Sequence, residues 1–205
     1  MLFTFEGVDG VGKSTILNYI KEALIEYKHN NFILTKEPQY ISPEMKQFLV
    51  HYTDPLSKLN WFYNDHIRHM KERIYPNVEN NIILCDRYIH SRIAYQSYEL
   101  TKYYLDKEEY MDLHDTMNNL IHMHKDSYWP DKIFIIWMDK EMLKERLSAG
   151  HDGMDESFIE KLSKIENVYL NLLIENGIPY IGYNMNMGSE YIAMDIIDNI
   201  LSSTE

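Results

Sequence analysis

The amino-acid sequence predicts an α/β fold in which a five-stranded parallel sheet is covered by helices on both faces. Short, apolar, β-prone runs alternate along the chain with longer stretches of helical periodicity, and glycine-rich or charged segments directly follow several of these runs. The runs lie at 2–6, 31–35, 81–85, 132–138 and 179–183. Such alternation is typical of parallel sheets. Because these sheets bind ligands at the carboxyl ends of their strands, we expect functional residues there.

Helical periodicity separates the predicted strands and follows the last one. The helical stretches are predicted at about 13–28, 43–52, 56–78, 88–124, 140–175 and 188–203. Of the 205 residues, 45% are hydrophobic and 25% charged, which is typical of a globular protein with one sizeable core. Since no internal repeat or low-complexity linker interrupts the pattern, the sequence predicts a single domain over 1–205.

The charge and the cysteine content limit the partners and the location. The formal net charge of −12 argues against a nucleic acid polymer as partner, because a phosphate backbone needs a basic surface. No apolar run is long enough to span a bilayer and the N-terminus lacks the pattern of a secretory signal, so we expect no membrane partner. Cys85, the only cysteine, cannot form an internal disulfide, which favours a cytoplasmic location.

A phosphate-binding loop occupies residues 7–14, which match the pattern G-x-x-x-x-G-K-[ST]. A β-prone run precedes the loop and a helical stretch follows it, which is the strand–loop–helix order of nucleoside triphosphate sites. Lys13 is expected to reach the β- and γ-phosphates, and the Ser14 hydroxyl to hold Mg²⁺. The sequence therefore predicts the P-loop NTPase fold. The residues assigned to the bound nucleotide are Gly7, Gly10, Val11, Gly12, Lys13, Ser14 and Thr15.

Charged residues follow the second and third predicted strands. Asp86 ends the third strand beside the expected phosphate loop, where its carboxylate can hold Mg²⁺ directly or through water. Arg87 comes next and offers a planar fork for phosphate oxygens. The alternative is a surface ion pair between these neighbours. Lys36 and Glu37 end the second strand at the same edge, with a solvated charged turn as the alternative.

Together these segments resemble the thymidylate kinase family of P-loop nucleoside monophosphate kinases. The resemblance covers nearly the whole chain and rests on segments 5–15, 35–38, 86–88 with Ser91, 94–96 and 130–131. It implies that ATP, with Mg²⁺, passes its γ-phosphoryl group to the 5′-phosphate of a deoxynucleoside monophosphate, most often dTMP to give dTDP. It also implies a homodimer, and the stretch 56–78 is compatible with a dimer face.

The resemblance implies roles for individual residues. Asp9 would bind the 3′-hydroxyl of the deoxyribose, and Arg87 would clamp the acceptor phosphate. Phe62 matches an aromatic residue that stacks on thymine, although its spacing alone also fits a core residue. Tyr95 matches a tyrosine that leaves no room for a ribose 2′-hydroxyl. The residues assigned to catalysis are Lys13, Asp86, Arg87 and Arg146, and those assigned to the substrate are Asp9, Glu37, Phe62, His66, Arg87, Arg92 and Tyr95.

Two positions depart from the family at the base. His66 stands where the family usually has an arginine directed at the thymine edge, and an imidazole lacks the guanidinium fork. Arg92 stands where a small or amide residue is usual. We therefore expect a compensating exchange in which Arg92 reads the base edge, which leaves room for a modified pyrimidine. The alternative is that Arg92 is a solvated helix residue.

The third departure concerns the arginine that acts near the transferred phosphoryl group. Some members carry it in the phosphate loop, where this chain has Gly10, and others in a lid after the fourth strand. The lid is expected at about 146–156, and Arg146 is its only arginine. We expect Arg146 to reach the donor phosphates, with Lys144 and His151 as further candidate cations. The alternative for Arg146 is an exposed ion pair.

Three other functions are alternatives to a nucleoside monophosphate kinase. A deoxynucleoside kinase would phosphorylate the free 5′-hydroxyl and needs a general base, a role that Glu37 could fill. A nucleotide-binding module with little catalysis would fit the scarcity of lid arginines. A motor-type or nucleic-acid-stimulated ATPase fits a small acidic chain poorly.

Overall fold

Five parallel strands form the centre of the protein. In the computed structural model, which describes residues 1–27, 31–51, 54–109, 111–150 and 156–203, the strand order is β2-β3-β1-β4-β5. The strands are β1 (Leu2–Glu6), β2 (Phe32–Lys36), β3 (Ile82–Asp86), β4 (Lys132–Trp137) and β5 (Ile181–Asn184). All five predicted strands are confirmed, with small shifts at their ends, and the P-loop NTPase fold is confirmed with them.

The strand pattern explains why helices cover both faces. Side chains of a strand point alternately to the two faces, and all five residues of β1 are buried. Phe5 pairs in register with Asp86 on β3 and with Phe134 on β4. The carboxyl ends of the three central strands therefore lie side by side, which places the phosphate loop beside Asp86.

Eight α-helices pack around the described part of the sheet. They are α1 (Lys13–Glu26), α2 (Pro43–His51), α3 (Pro55–His69), α4 (Ile89–Leu105), α5 (Leu113–Met123), α6 (Lys140–Gly150), α7 (Glu156–Glu175) and α8 (Ser189–Leu201). A π-helical turn, Met70–Ile74, continues α3, and a short 3₁₀ helix, Met185–Met187, follows β5. Helix α1 packs against α8, whereas α4 packs against α3, α5 and α7. None of the described helices is both long and apolar enough to cross a membrane.

The helix boundaries correct two predictions. The stretch 88–124 is not one helix, because α4 ends at Leu105 and α5 begins after Asp112, whose carboxylate accepts a hydrogen bond from the Asp115 amide at 3.0 Å. Such a cap starts a new helix, and periodicity alone did not reveal it. The stretch 140–175 likewise consists of α6 and α7. Residues 151–155 between them, including His151, lie outside the described residues.

The carboxyl group of Glu6 holds the start of helix α4. Glu6 is fully buried at the end of β1 and accepts hydrogen bonds from the amides of Tyr88 (3.0 Å) and Ser91 (3.1 Å) and from the Ser91 hydroxyl. The first turn of a helix leaves its N–H groups without internal partners, and an acidic group there satisfies them and complements the helix dipole. Glu6 thereby fixes α4 to the carboxyl end of the central strand.

A buried histidine closes helix α5. His124 is 1% exposed, and its ring packs edge-on against Tyr63 and His66. Burial, together with the nearby His66 and Arg92, lowers the pKa of His124 to about 3. The folded protein therefore holds this imidazole in its neutral form at physiological pH.

Replacing His124 by Gln is expected to weaken the pH dependence of stability between about pH 6.5 and 3. In this window the unfolded chain protonates the imidazole, whose ordinary pKa is 6.5, whereas the folded state does not. The free energy of unfolding of the wild type therefore falls as the pH falls. Urea unfolding at several pH values from 7.5 to 4 measures the slope. His122→Gln, an exposed histidine of the same helix, is the control, and equal slopes for wild type and His124→Gln would contradict the prediction.

Candidate active site

The phosphate loop ends at the N-terminus of helix α1 and leaves that terminus open to a ligand. Gly12 has a φ of 103°, a left-handed conformation that a side chain would strain, and no described side chain caps α1. In contrast, Asp54 caps α3 with a 3.0 Å hydrogen bond from the Ser57 amide. The free N–H groups and the positive helix end make this position suited to phosphate.

A cavity of about 320 Å³ lies over this helix end. It brings the polar residues of the phosphate loop together with Asp86 and Arg146. Its lining consists of Asp9, Gly10, Gly12, Lys13, Ser14, Thr15, Asp86, Arg87 and Arg146. Gly7 and Val11 do not line it. A Cβ at Gly7 would lie 2.1 Å from the Ile136 carbonyl oxygen, so this glycine serves the close packing of the loop against β4.

Lys13 lies inside the loop and is bound to the loop's own backbone. Its Nζ donates hydrogen bonds to the carbonyl oxygens of Gly7 (3.0 Å) and Val8 (2.9 Å). Burial, with the positive charge of Arg87 nearby, lowers the pKa of Lys13 to about 7 although Asp86 and Asp9 oppose the shift. An anion in the cavity would stabilise the charged ammonium and raise this pKa again.

Ser14 and Asp86 form the candidate magnesium site. The Ser14 hydroxyl donates a 3.1 Å hydrogen bond to Asp86 Oδ2. The second oxygen, Oδ1, is buried and has no hydrogen-bond partner within the described ranges. A carboxylate oxygen of this kind, beside a hydroxyl and a phosphate-binding loop, fits the oxygen ligands that Mg²⁺ prefers.

Arg146 lies directly over the phosphate loop. A Cβ built on Gly12 would come within 3.0 Å of Arg146 Nη1, so the absence of a side chain at Gly12 gives the guanidinium its place. Lys144, a further candidate cation, points elsewhere: its Nζ lies 3.6 Å from Glu156 Oε1, and it does not line the cavity. The geometry therefore favours Arg146 as the lid cation.

A second cavity, of about 470 Å³, adjoins the first and has the size of a nucleotide site. Asp9 and Arg87 line both cavities, so the two meet at these side chains. The remaining predicted residues on its wall are Glu37, Phe62, Arg92 and Tyr95. Further wall residues are Pro38, Ile41, Leu49, Lys58, Tyr88, Ser91, Gln96, Glu99, Phe158 and Lys161.

Arg87 occupies the junction in a fixed orientation. Its φ of 66° is unusual for a residue with a side chain. Its Nη2 donates to Asp9 Oδ1 at 2.9 Å and to the Tyr95 hydroxyl at 3.3 Å, while Nη1 donates to the hydroxyls of Ser91 and Tyr169 at 3.3 and 3.4 Å. A strained backbone held by this many contacts is typical of functional positions.

Asp9 and Tyr95 are paired across the junction. The Tyr95 hydroxyl donates to Asp9 Oδ2 at 2.9 Å, and the Asp9 amide donates to the same hydroxyl at 3.1 Å. Burial alone would raise the pKa of Asp9, but Arg87, Lys13 and the Tyr95 hydroxyl outweigh it and lower the pKa. Asp9 is therefore an ionised hydrogen-bond acceptor near the junction.

The structure does not place His66 on the wall of the second cavity. Its side chain is fully buried, does not line the cavity, and lies behind Glu37, with Nδ1 2.7 Å from Glu37 Oε1. Arg92, in contrast, is only 7% exposed and lines the cavity, so it is not a solvated helix residue. Burial would raise the pKa of Glu37, but Arg92, His66 and His69 outweigh it and hold the pKa well below its usual value.

Sequence reasoning missed Gln96 on the wall of this cavity, and Tyr169, which does not line the cavity but contacts Arg87. Gln96 is 4% exposed, and its Oε1 has no partner among the residues that the structure describes. Tyr169, from the distant helix α7, supports Arg87 and donates a 2.5 Å hydrogen bond to Ser91 Oγ. Gln96 follows Arg92 by four positions, so the polar stripe along α4 was a usable signal. No local pattern marked Tyr169.

ATP binding at pH 8 is expected to take up close to one proton per molecule. Free Lys13, with a pKa of about 7, is largely neutral at this pH, and triphosphate oxygens restore its charge. The affinity should therefore weaken as the pH rises above 7. Calorimetric titrations with MgATP in two buffers of different ionisation enthalpy measure the uptake. Lys13→Arg, which stays protonated, should bind without uptake, and zero uptake by the wild type would refute the idea.

Comparisons with known proteins identify the family of this chain. The family model for thymidylate kinase matches residues 5–181. A thymidylate kinase of Wolbachia pipientis subsp. Culex pipiens is 33% identical over 80% of this chain and 78% of its own length, and one of Nautilia profundicola is 30% identical over 88% and 87%. The crystal structure of thymidylate kinase from Ehrlichia chaffeensis, 23% identical, covers 98% of both chains with a TM-score of 0.67 and shares the fold. The chain thus belongs to the thymidylate kinase family.

Proposed function

We propose that this protein transfers the γ-phosphoryl group of ATP to the 5′-phosphate of dTMP, giving ADP and dTDP. The observation that carries the proposal is the pair of cavities that meet at Asp9 and Arg87. One contains the phosphate loop, and the other has the size and the aromatic and polar lining that suit a nucleotide. Two phosphorylated substrates bound in this way would place donor and acceptor phosphates next to each other.

The donor cavity supplies groups that bind and neutralise a triphosphate. The N–H groups at the start of α1 would cradle the phosphates, and Lys13 would leave the carbonyls of Gly7 and Val8 to contact them. Ser14 and Asp86 would hold Mg²⁺, which when bound neutralises phosphate charge. These side chains orient the γ-phosphoryl group toward the junction.

The acceptor cavity supplies contacts for each part of a deoxynucleotide. Arg87 would bind the 5′-phosphate, and the ionised Asp9 would accept a hydrogen bond from the 3′-hydroxyl. The Tyr95 ring, fixed by its bonds to Asp9, would pack on the sugar where a ribose 2′-hydroxyl would otherwise lie. Phe62 provides an aromatic wall for the base, and Gln96 an unpaired acceptor.

Positive charge at the junction is needed because the reaction brings two anions together. Two unit charges 4 Å apart repel by about 4 kcal/mol at an effective dielectric constant of 20. Lys13, Arg87 and Arg146 all line the donor cavity and can offset this repulsion. In phosphoryl transfer, most of the catalytic effect comes from such positioning and charge stabilisation.

The state of Glu37 argues against a deoxynucleoside kinase. A general base needs a free lone pair and a pKa near the working pH. Both carboxylate oxygens of Glu37 already accept hydrogen bonds, from His66, His69 and Arg92, and these partners hold its pKa well below the usual value. Glu37 is thus poorly suited to deprotonate a 5′-hydroxyl. The monophosphate, which is already an anion, needs no such base.

The partners that we propose are ATP, Mg²⁺, dTMP and a second copy of this chain. Homodimer formation rests on the family resemblance and on exposed apolar residues, Phe48 of α2 and Leu56 of α3. A cytoplasmic location suits an ATP-dependent enzyme whose only thiol, Cys85, is buried and unpaired with another cysteine.

With ATP and Mg²⁺, the enzyme is expected to form dTDP from dTMP and to form no dTMP from thymidine. Anion-exchange chromatography of the products gives both rates in one experiment. Phosphorylation of thymidine alone would support a nucleoside kinase instead. Binding of ATP and dTMP without dTDP above background would support a binding module. Failure with every pyrimidine deoxynucleoside monophosphate would overturn the proposal.

Arg146→Met is expected to lower kcat on the order of 10³-fold, with little change in the KM for dTMP. An arginine that stabilises the charge of the transferred phosphoryl group acts mainly in the transition state. Steady-state kinetics with dTMP and ATP measure the effect. Lys144→Met removes a cation of the same helix that does not line the cavity, and it should retain most of kcat. A larger loss in Lys144→Met than in Arg146→Met would reverse the assignment.

A further inference from the structure

Arg92 carries buried hydrogen-bond donors that have no partner among the described residues. The side chain projects from α4 onto the wall of the acceptor cavity and is 7% exposed. Its Nη2 donates a 2.6 Å hydrogen bond to Glu37 Oε2, whereas the N–H groups of Nε and Nη1 are buried and unpaired within the part of the chain that the structure describes. Buried donors without partners are costly, and natural proteins keep few of them. Because Arg92 lines the cavity, a ligand there that offers an acceptor would lie beside a guanidinium with hydrogen bonds still to make.

The Arg92 guanidinium lies at the end of the cavity that holds Phe62. Arg92 Cζ is 5.9 Å from the centroid of the Phe62 ring, whereas the phosphate junction is formed by Arg87 with Asp9. The Tyr95 hydroxyl bonds to both junction residues. A nucleotide whose phosphate lies at Arg87 and whose sugar lies on Tyr95 would therefore bring its base to Phe62 and Arg92.

Glu37 fixes the guanidinium, and two histidines fix Glu37. Glu37 Oε1 lies 2.7 Å from His66 Nδ1 and 2.9 Å from His69 Nδ1, and all three side chains are buried. Because a carboxylate only accepts hydrogen bonds, each Nδ1 must carry a proton. The carboxylate thus has one oxygen for the two imidazoles and the other for Arg92.

The two histidines are themselves held at their far nitrogens. His66 Nε2 lies 3.0 Å from Ser127 Oγ, and His69 Nε2 lies 2.7 Å from Thr35 Oγ1. A second hydrogen bond of this kind fixes the orientation of an imidazole ring. The two fixed rings in turn hold the Glu37 carboxylate in one orientation. The chain of contacts runs from β2 and α3 through Glu37 to Arg92 and leaves the guanidinium little freedom.

We propose that Arg92 reads the base of the acceptor nucleotide by donating to a carbonyl oxygen on its edge, and that Glu37, His66 and His69 are positioning residues for Arg92. This inference rests on the proposed function. Thymine and uracil offer a carbonyl oxygen at the 4-position, where cytosine carries an amino group. A fixed donor facing that amino group would stay unpaired, so the site selects a carbonyl-bearing pyrimidine against cytosine.

The first test is the replacement Arg92→Met, which removes the donors and keeps much of the bulk. We expect the KM for dTMP to rise ~10- to 100-fold, as for loss of a charge-assisted hydrogen bond, with kcat at saturation changed much less. The preference for dTMP and dUMP over dCMP, measured as a ratio of kcat/KM, should fall by a similar factor. Arg73→Met, at an exposed arginine, is the matched control and should keep the wild-type ratio.

The second test addresses the positioning residues with Glu37→Gln and His69→Gln. Each should raise the KM for dTMP several-fold and reduce the ratio of kcat/KM for dTMP to that for dCMP. The kcat for dTMP should change by less than about threefold. A role in folding alone would leave that ratio unchanged in the folded fraction. Far-UV circular dichroism and calorimetric binding of MgATP to the separate donor cavity verify that each variant is folded.

The outcomes separate this inference from the proposed function. If the wild type forms no dTDP, the proposed function fails first. If it forms dTDP but Arg92→Met retains the wild-type dTMP/dCMP ratio, or loses kcat with an unchanged KM, the inference is overturned. Should Arg92→Met fail to fold, Arg92→Lys keeps the charge and loses the planar fork, and an unchanged ratio in that variant overturns the inference equally.

Discussion

The acceptor half of the site depends on the buried carboxyl group of Glu6 at the first turn of α4. Glu6 binds the amides of Tyr88 and Ser91, so the helix start is tied to the end of the central strand. Arg87 lies in the short segment between strand and helix. The cavity-lining residues of α4 follow at helical spacing and therefore share one face: Ser91, Arg92, Tyr95, Gln96 and Glu99. One buried interaction thus sets the positions of Arg87, Tyr95 and Arg92, which we propose to contact the phosphate, the sugar and the base.

The two neighbouring cavities differ in how their charges are arranged. The donor cavity concentrates cations at an uncapped helix end, although the whole chain carries a net charge of −12. The acceptor cavity instead pairs its charges: the exposed Asp9 with Arg87 where the two cavities meet, and the buried Glu37 with Arg92 beside Phe62. Buried ion pairs contribute little net stability but enforce a definite geometry when every oxygen has a partner. Such pairs suit a site in which hydrogen-bond donors must point in a fixed direction to recognise a ligand.

The sequence predicted the strands and the phosphate loop well because both depend on local chemistry. Apolar β-prone runs bury themselves in the sheet wherever they occur, and the loop's glycines permit a backbone that other residues resist. Helix boundaries were harder, since the 88–124 stretch breaks where Asp112 caps a new helix. The direction of the His66 side chain was beyond sequence reasoning, because periodicity does not tell whether a helix face meets a cavity or a buried carboxylate. Tyr169 was missed because its contact joins residues far apart in the chain.

The hydrogen bonds of Lys13 to the carbonyls of Gly7 and Val8 have a consequence for the entropy of nucleotide binding. A glycine-rich loop without ligand would otherwise sample many backbone conformations, and ordering it would oppose binding. Here Lys13 holds the loop in one conformation through its hydrogen bonds to two loop carbonyls, and the burial of its side chain shields these bonds from water. The loop is therefore preorganised, and the ATP that we propose as ligand would replace two internal hydrogen bonds instead of ordering a disordered segment. The lysine that we propose to contact the nucleotide thus also maintains the shape of the loop without a ligand.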